Sequence, residues 1–375
     1  MSDFDYAIAG AGLAGLSLAK RLSQSNRSRR LCLIEPRTSY RRDHTWCFWN
    51  NVVATLNVPT KKQWHKWTVR YRSQVSTCSS KLYPYCCVFA DDYYEQTLYD
   101  LEQSGKVTLF LGETLKQINY IEEGLLLKTE KRSLIASSLF DSRPDQIDGA
   151  KFKQDFLGLH IKASGQIFDS DCVTLMDFTG IEVKRGFHFF YLLPFTESEA
   201  LVESVYIGLD GLSNHEHREL LIDYLKKEYG IVEFNEVYVE RGVIPMYRMS
   251  LERPHQQHYL IGTRGGFVRS STGYAFAAIH QYADQLARSL ESDRLPEVVR
   301  PLSPKAELLD AVLLNYLRER PEDGPLILSS LFEKVEPDAV VRFLSDRSTL
   351  LDEALIFAAM PKKFELASIM AKTAL

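Results

Sequence analysis

Apolar and polar positions along this chain follow two periods, and the places where one gives way to the other predict its elements. An apolar run from Tyr6 to Ala9 leads through a glycine-rich turn into helical spacing over Leu13 to Ser23. A basic loop then precedes a second apolar run, Leu31 to Glu35. That succession is a strand–helix–strand unit. Residues 93–104 again show helical spacing, "VTLFLG" after them reads as a strand, and residues 120–144 alternate short apolar runs with polar turns, as in a small meander. Strand patterns dominate 172–210 ("CVTLMDF", "FHFFYLLPF", "EALVESVYIG"), an amphipathic charged helix is predicted over 215–229, and "EVYVERGVIPM" reads as another strand. From Gly262 a glycine-rich loop feeds a helix through about Leu290. Beyond "RLPEVVRP" the pattern is helical and punctuated by Pro321, Pro337 and Pro361.

The fold class expected from this order is α/β. A discontinuous, Rossmann-like dinucleotide domain would use residues 1–60, 84–158 and 255–292. A β-rich substrate domain would be inserted as 61–83 and 159–254, with a C-terminal helical region over 293–375. A chain of 375 residues is long enough for two cores. Its net charge of −4 gives no basic excess, so nucleic acid is not an expected partner. The six cysteines form no C-x-x-C pair and read as reduced thiols of a cytoplasmic protein. The glycine turn begins by Gly10, which leaves no room for a signal peptide ahead of the first strand, and no run is apolar and long enough to span a bilayer.

Gly10, Gly12 and Gly15 have G-x-G-x-x-G spacing directly after a strand and at the opening of a helix. Gly10 permits the tight turn, Gly12 lets backbone approach a pyrophosphate, and Gly15 lets helix and strand pack closely. Glu35 ends the next strand, 20 residues past Gly15, where a carboxylate can accept hydrogen bonds from ribose hydroxyls. FAD and NAD share this fingerprint. The second glycine cluster, residues 260–287 with Gly265, Gly266, Thr272 and Gly273, favours FAD, because many FAD enzymes carry a late strand–glycine loop–helix of this form. The plainer reading is an ordinary loop with Ser271 or Thr272 capping the helix.

With these residues in view, the chain resembles the bacterial lycopene cyclase family, flavoproteins of carotenoid biosynthesis. The likeness is carried by "DHTWCFW" (43–49), "FDSRP" (140–144), "QDFLG" (154–158), "LMDF" with "FFYLLPF" and "ALVES" (175–204), "GGFVRSSTGYAF" (265–276) and "FLSDRSTLLDEALIFAAMPKKF" (343–364). Two departures stand out: Ser270 replaces the family's loop proline, and Ser204 and Val205 follow Glu203 where an acid and a threonine are usual. The resemblance implies a fold of the flavin hydroxylase and reductase type with non-covalent FAD, held reduced with NAD(P)H as external reductant. It also implies cyclisation of the ψ-ends of lycopene to β-ionone rings without net redox change. Such a hydrocarbon must be collected from lipid, and the C-terminal apolar tail ("LLDAVLLNYL", "LLDEALIFAAMPKKFELASIM", with Lys362 and Lys363 at an end) is expected to associate peripherally with the cytoplasmic side of the inner membrane, the plainer reading of the same stripes being a helix–helix core.

Such a ring closure needs a well-placed, poorly hydrated acid, and the resemblance implies Glu203. By period two, Leu201, Glu203 and Val205 share one face of their strand, which either points into an apolar cavity or faces solvent. Asp177 is a second acid that could orient a partner, act as base, or merely end a strand. Trp46, Phe189, Tyr191 and Tyr274 are candidates to line the substrate, with Phe48, Trp49 and Phe190 beside them; cation–π attraction and core packing are both open to such rings. His44 and His188 read as loop residues. The pairs His215/His217 and His255/His258 lack companion ligands at metal spacing, so no metal is expected. A redox flavoenzyme of the same fold and a non-catalytic flavin- or carotenoid-binding protein remain as alternatives.

Overall fold

The computed structural model describes residues 2–50, 56–144, 151–249, 253–292 and 302–364. The junction "RLPEVVRP", at 294–301, and residues 365–370 of the expected apolar tail lie outside them.

The first sheet runs in the order Val107–Leu111, Leu31–Glu35, Phe4–Ala9, Ser133–Asp141, all parallel, and continues antiparallel through Gly124–Thr129 to Leu115–Ile121. His258–Leu260 pairs in parallel with the end of Ser133–Asp141. Leu31–Glu35 is buried at every position, as expected of a strand covered on both faces. The helices Leu13–Gln24, Ala90–Ser104 and Phe276–Glu291 share one core on this sheet, built around Leu16, Leu18, Tyr93, Leu101, Tyr282 and Leu286. On the other face the meander contributes Leu115, Leu125, Leu127 and Leu134 to a second core with Ala7 and Ile34.

The second sheet has seven strands: Phe234–Pro245, Lys153–Ala163, Glu199–Gly208, Gly186–Pro194, Cys172–Asp177, Lys66–Tyr71 and Gln74–Ser79. One face is covered by the helix Asn214–Tyr229, which Ser213 and Glu216 start with a reciprocal capping box and whose Leu221, Tyr224 and Leu225 pack on Leu157, Leu159 and Val202. The other face looks toward the nucleotide-type domain and is partly covered by the C-terminal helices. Val312, Leu317 and Ile327 pack there on Phe187, Phe189 and Val205. A third, three-stranded sheet (Thr45–Trp49, Tyr85–Phe89, Lys62–Trp64) bridges the two large ones.

Two expectations change. The Lys153–Ala163 strand belongs wholly to the second sheet, so the expected boundary at residue 158 falls inside a strand; its pairing with Glu199–Gly208 and Phe234–Pro245 is long-range and overrides local pattern. His188 lies in the Gly186–Pro194 strand, not a loop. It is buried, with its Nε2 2.8 Å from Ser204 Oγ.

Candidate active site

A cleft of about 810 Å³ opens between the two large sheets, within the range of sites that enclose sizeable ligands. One end is built by the glycine turn. Gly10 has φ +90°, and a Cβ on Gly15 would lie 1.9 Å from the Gly10 carbonyl oxygen, so both positions admit only glycine. Gly12 differs: it lines the cleft, and a Cβ there would meet nothing within 4 Å. The Leu13–Gln24 helix that starts here has no side-chain cap and no acidic residue in its first turn. Its positive end therefore carries no compensating group within the helix itself. Glu35 is buried beside it. Its Oε2 accepts the Ala11 N–H at 2.6 Å, and its Oε1 accepts the Arg37 backbone N–H at 3.0 Å and the Arg37 Nε–H at 2.8 Å.

The late glycine loop forms the facing edge. Gly262, at φ +66°, brings the backbone against the first turn of that helix, where a Cβ would lie 2.9 Å from Ala14 Cβ. Gly262, Thr263, Thr272, Gly273 and Tyr274 line the cleft. Gly265 and Gly266 do not. A Cβ on Gly265 would strike the Leu260 carbonyl at 2.5 Å, and Gly266 has φ +78°, so these two shape the turn. Ser271 and Thr272 do not cap the helix, which begins at Phe276 without a side-chain cap. Ser271 donates instead to Asp310 at 2.7 Å, and Asp310 pairs with buried Arg269 at 3.0 Å. Arg269 also donates to the Phe343 and Leu344 carbonyls, which ties the loop to the C-terminal helices.

The opposite wall is the face of the second sheet turned away from the helix Asn214–Tyr229, and here the register matters. Glu240, Gly158, Glu203 and Tyr191 are cross-strand neighbours in one row over four strands. Side chains in such a row share a face. Because the residue between the two acids is glycine, their side chains converge over it: a Cβ on Gly158 would fall 3.1 Å from Glu203 Cγ and 3.0 Å from Glu240 Cγ. Glu203 is 7% exposed and Glu240 4%. Burial, then the neighbouring Glu240 charge and hydrogen bond, raises the Glu203 pKa well above the ordinary carboxyl value, so Glu203 keeps its proton. Burial raises Glu240 too, but hydrogen bonds from Glu203 and from Thr45 Oγ1 (2.8 Å) favour its ionised form. Both shifts are upward, so the pair favours retention of a proton, and the hydrogen bonds on Glu240 bias that proton toward Glu203.

Tyr191 extends the row into a cluster of hydroxyls. Tyr85 Oη lies 3.0 Å from Tyr191 Oη and 3.4 Å from Tyr274 Oη, with Trp49 packed against the Tyr85 and Tyr274 rings. Burial pushes all three phenols up, so they stay neutral donors. Phe189, Val205, Leu175 and Met176 make the neighbouring wall apolar. Beyond them lies a smaller chamber of about 90 Å³ among the C-terminal helices, which shares Ser271, Thr272, Leu328, Leu331 and Leu344 with the cleft.

Residues 5–370 match the family described as "Lycopene cyclase protein", nearly the whole chain. The chain belongs to the lycopene cyclase family. It is similar to a lycopene beta-cyclase of Pantoea ananas, 23% identical over 98% of this chain and 97% of that protein. Among solved structures it is similar to a geranylgeranyl bacteriochlorophyll reductase-like protein of Thermoplasma acidophilum (TM-score 0.65, 11% identity, 99% of each chain covered). It is also similar to a mutant of the halogenase PltM in complex with FAD (TM-score 0.56, 10% identity, 97% of this chain and 85% of that one). These structural likenesses give the lycopene cyclase family member a Rossmann-like FAD-binding fold.

Of the residues the sequence singled out, the cleft gathers Gly10, Gly12, Glu35, Thr272, Gly273, Glu203, Trp46, Phe189, Tyr191 and Tyr274. Asp177 is not among them. It is buried on the helix-covered side, where it accepts Tyr224 Oη at 3.0 Å and Thr179 Oγ1 at 2.6 Å, so its role in this member of the lycopene cyclase family is to join strand, turn and helix. Phe190 points the same way and stacks on Tyr224 at 3.9 Å. Ser204, one of the departures from the family pattern, also faces away and is held between His188 and His217, each at 2.8 Å. The residues missed were Glu240, Thr45, Tyr85, Gly262 and Thr263. No local pattern singled out Glu240, whose pairing with Gly158 of "QDFLG" is long-range.

Proposed function

We propose that this protein cyclises the acyclic ends of lycopene to β-rings by acid–base isomerisation, with Glu203 as proton donor and FAD as a resident cofactor. The observation that carries the reading is a buried carboxyl group, Glu203, whose burial and neighbour Glu240 favour its protonated form, facing a mainly apolar cleft that continues to the glycine turn. An alkene is a feeble base, and only an acid kept neutral and unhydrated until the substrate arrives is suited to protonate it.

The residues present fit FAD. The open position at Gly12 gives backbone access to a pyrophosphate, and Glu35 stands at the end of the second strand to meet a ribose. Gly262, Thr263, Thr272 and Gly273 would hold the rest of the group. Reduced FAD, with NAD(P)H as the external reductant, would supply a negative, electron-rich ring that favours a nearby carbocation. The protein's own part is separate. Glu203 gives its proton, the neutral tyrosines and Trp49 present oxygen lone pairs and aromatic faces to the cation, and the apolar wall keeps water away.

We further propose that the substrate arrives from a lipid surface, met by the outer face of the helix Leu350–Ala359. Leu350 (84%), Leu351 (69%) and Leu355 (46%) are exposed there, while Ile356 and Phe357 of the same helix line the small chamber.

A redox reaction on an isoprenoid is the second reading, favoured by the likeness to a reductase-like protein. Expression in cells that accumulate lycopene, followed by chromatography and mass spectrometry, separates the two. The expected product is cyclic with the mass of lycopene. A product heavier by hydrogen or oxygen, or no conversion at all, would overturn the cyclase reading.

A further inference from the structure

We propose that Glu240 is the base that removes the ring proton, so that the Glu203–Glu240 pair both delivers and recovers the one proton that the isomerisation needs. This rests on the cyclase reading above and adds to it the second half of the reaction.

Consider the balance of the reaction. Breaking the Glu203 O–H bond forms a C–H bond on the terminal alkene and leaves a tertiary cation. The electrons of the next alkene then close the carbon–carbon ring bond and move the cation into the ring. Finally a ring C–H bond breaks, its electrons become the ring double bond, and a base accepts the proton. No electron leaves the system, and one proton has passed from a donor to an acceptor. In the closed ring, the carbon that gains the proton and the carbon that loses it are both bonded to the same quaternary carbon. Donor and acceptor must therefore converge on nearly one spot.

The geometry supplies that convergence. Glu203 and Glu240 flank Gly158 in one cross-strand row, with each Cγ about equally far from the place a glycine side chain would occupy. Among the described residues, the carboxyl groups lining the cleft are Glu35, Asp43, Glu203 and Glu240. Glu35 and Asp43 are both bound to Arg37 at the dinucleotide end. That leaves Glu240 as the carboxylate beside the acid. Thr45 donates to its Oε2 at 2.8 Å. Arg42, held over the Phe89 and Tyr238 rings at 4.2 and 4.1 Å, adds positive potential that opposes the upward shift burial imposes on Glu240. After the reaction the proton lies on Glu240, and the hydrogen bond between the two carboxyls returns it to Glu203 for the next end group.

The position of the base also decides which proton leaves. A tertiary ring cation has three kinds of neighbouring C–H, and each gives a ring isomer of the same mass. The test is Glu240→Gln and Glu240→Asp in the holoenzyme supplied with lycopene. Turnover, ring-isomer ratio, flavin content and thermal midpoint are measured together. Glu240→Gln should lose turnover by at least ~100-fold, and the residual product should contain ring isomers that the unaltered enzyme does not form. Glu240→Asp should recover part of the rate and serves as the reading if the glutamine variant does not fold. Two results would overturn the assignment: wild-type rate and product in Glu240→Gln, or a slowed reaction whose product remains purely β. The latter would make Glu240 a positioning residue for Glu203. If the unaltered enzyme forms no ring at all, the cyclase reading falls and this one with it.

Discussion

Two carboxyl groups buried side by side are stable only if they hold a proton between them, and that fact shapes the behaviour of Glu203. In the unfolded chain Glu203 ionises near its ordinary value of 4.5, whereas in the folded protein burial and Glu240 push its pKa well above this. Below the ordinary value both states are protonated and folding carries no penalty. As pH rises, the unfolded chain releases a proton that the folded one retains, and stability falls by roughly 1 kcal/mol per pH unit until the folded group also titrates. Glu203→Gln keeps the shape and a donor toward Glu240 while removing that penalty. The variant should unfold a few degrees higher than the wild type at pH 7, show no gain at pH 4, and lose cyclisation by at least ~100-fold. Equal midpoints at pH 7 would mean that Glu203 is not buried as a neutral acid. Glu203 was singled out by the resemblance, whereas period-two spacing left open which way its face turned. Glu240 was not, because its strand is inverted: Val237, Val239 and Val243 are the exposed residues and the glutamate is the buried one. Only pairing with Lys153–Ala163, invisible to local pattern, fixes that sense.

At the scale of elements, the N-terminal strand–helix–strand unit was readable almost to the residue, because neighbouring segments pair and the glycine turn between them is a local device. The late glycine loop was readable as a loop but not in its details. Which glycines face the cleft depends on packing against Ala14 and on the Arg269–Asp310 anchor to a distant helix, both long-range. The same contrast makes Gly12 a clean probe. Its backbone, at φ −81° and ψ −167°, suits any residue, and a Cβ there touches nothing. Gly12→Val should therefore fold with a thermal midpoint near that of the apoprotein while binding at least ~10-fold less flavin, because the added methyls occupy the approach of a pyrophosphate. Flavin absorbance per mole of purified protein measures it, and a variant as yellow as the wild type would place the cofactor elsewhere.

On the cyclase reading the whole molecule has to obtain a hydrocarbon that water does not carry, and among the described residues no helix is long and apolar enough to cross a membrane. The helix Leu350–Ala359 offers another route. Its acids are turned inward, Asp352 to Arg342 at 2.7 Å and Glu353 to Lys305, while leucines point out. This reverses the usual order of a surface helix, in which the apolar stripe faces the core. Lys362 and Lys363, both exposed, follow close behind it, as suits an anionic lipid surface. The chamber on the inner side of the helix shares Leu328, Leu331 and Leu344 of its lining with the cleft, so a chain drawn from lipid at this face would move toward Glu203 over mainly apolar residues. Sinking two exposed leucines into lipid is worth about 3–6 kcal/mol. Leu350→Glu with Leu351→Glu should then weaken binding to vesicles of anionic phospholipid by at least ~100-fold in a flotation assay. The double variant should still convert lycopene presented in detergent micelles and keep its thermal midpoint, because neither side chain belongs to the core. Unchanged flotation would show that this face does not meet the membrane; lost activity in micelles would show instead that the helix serves the cleft directly.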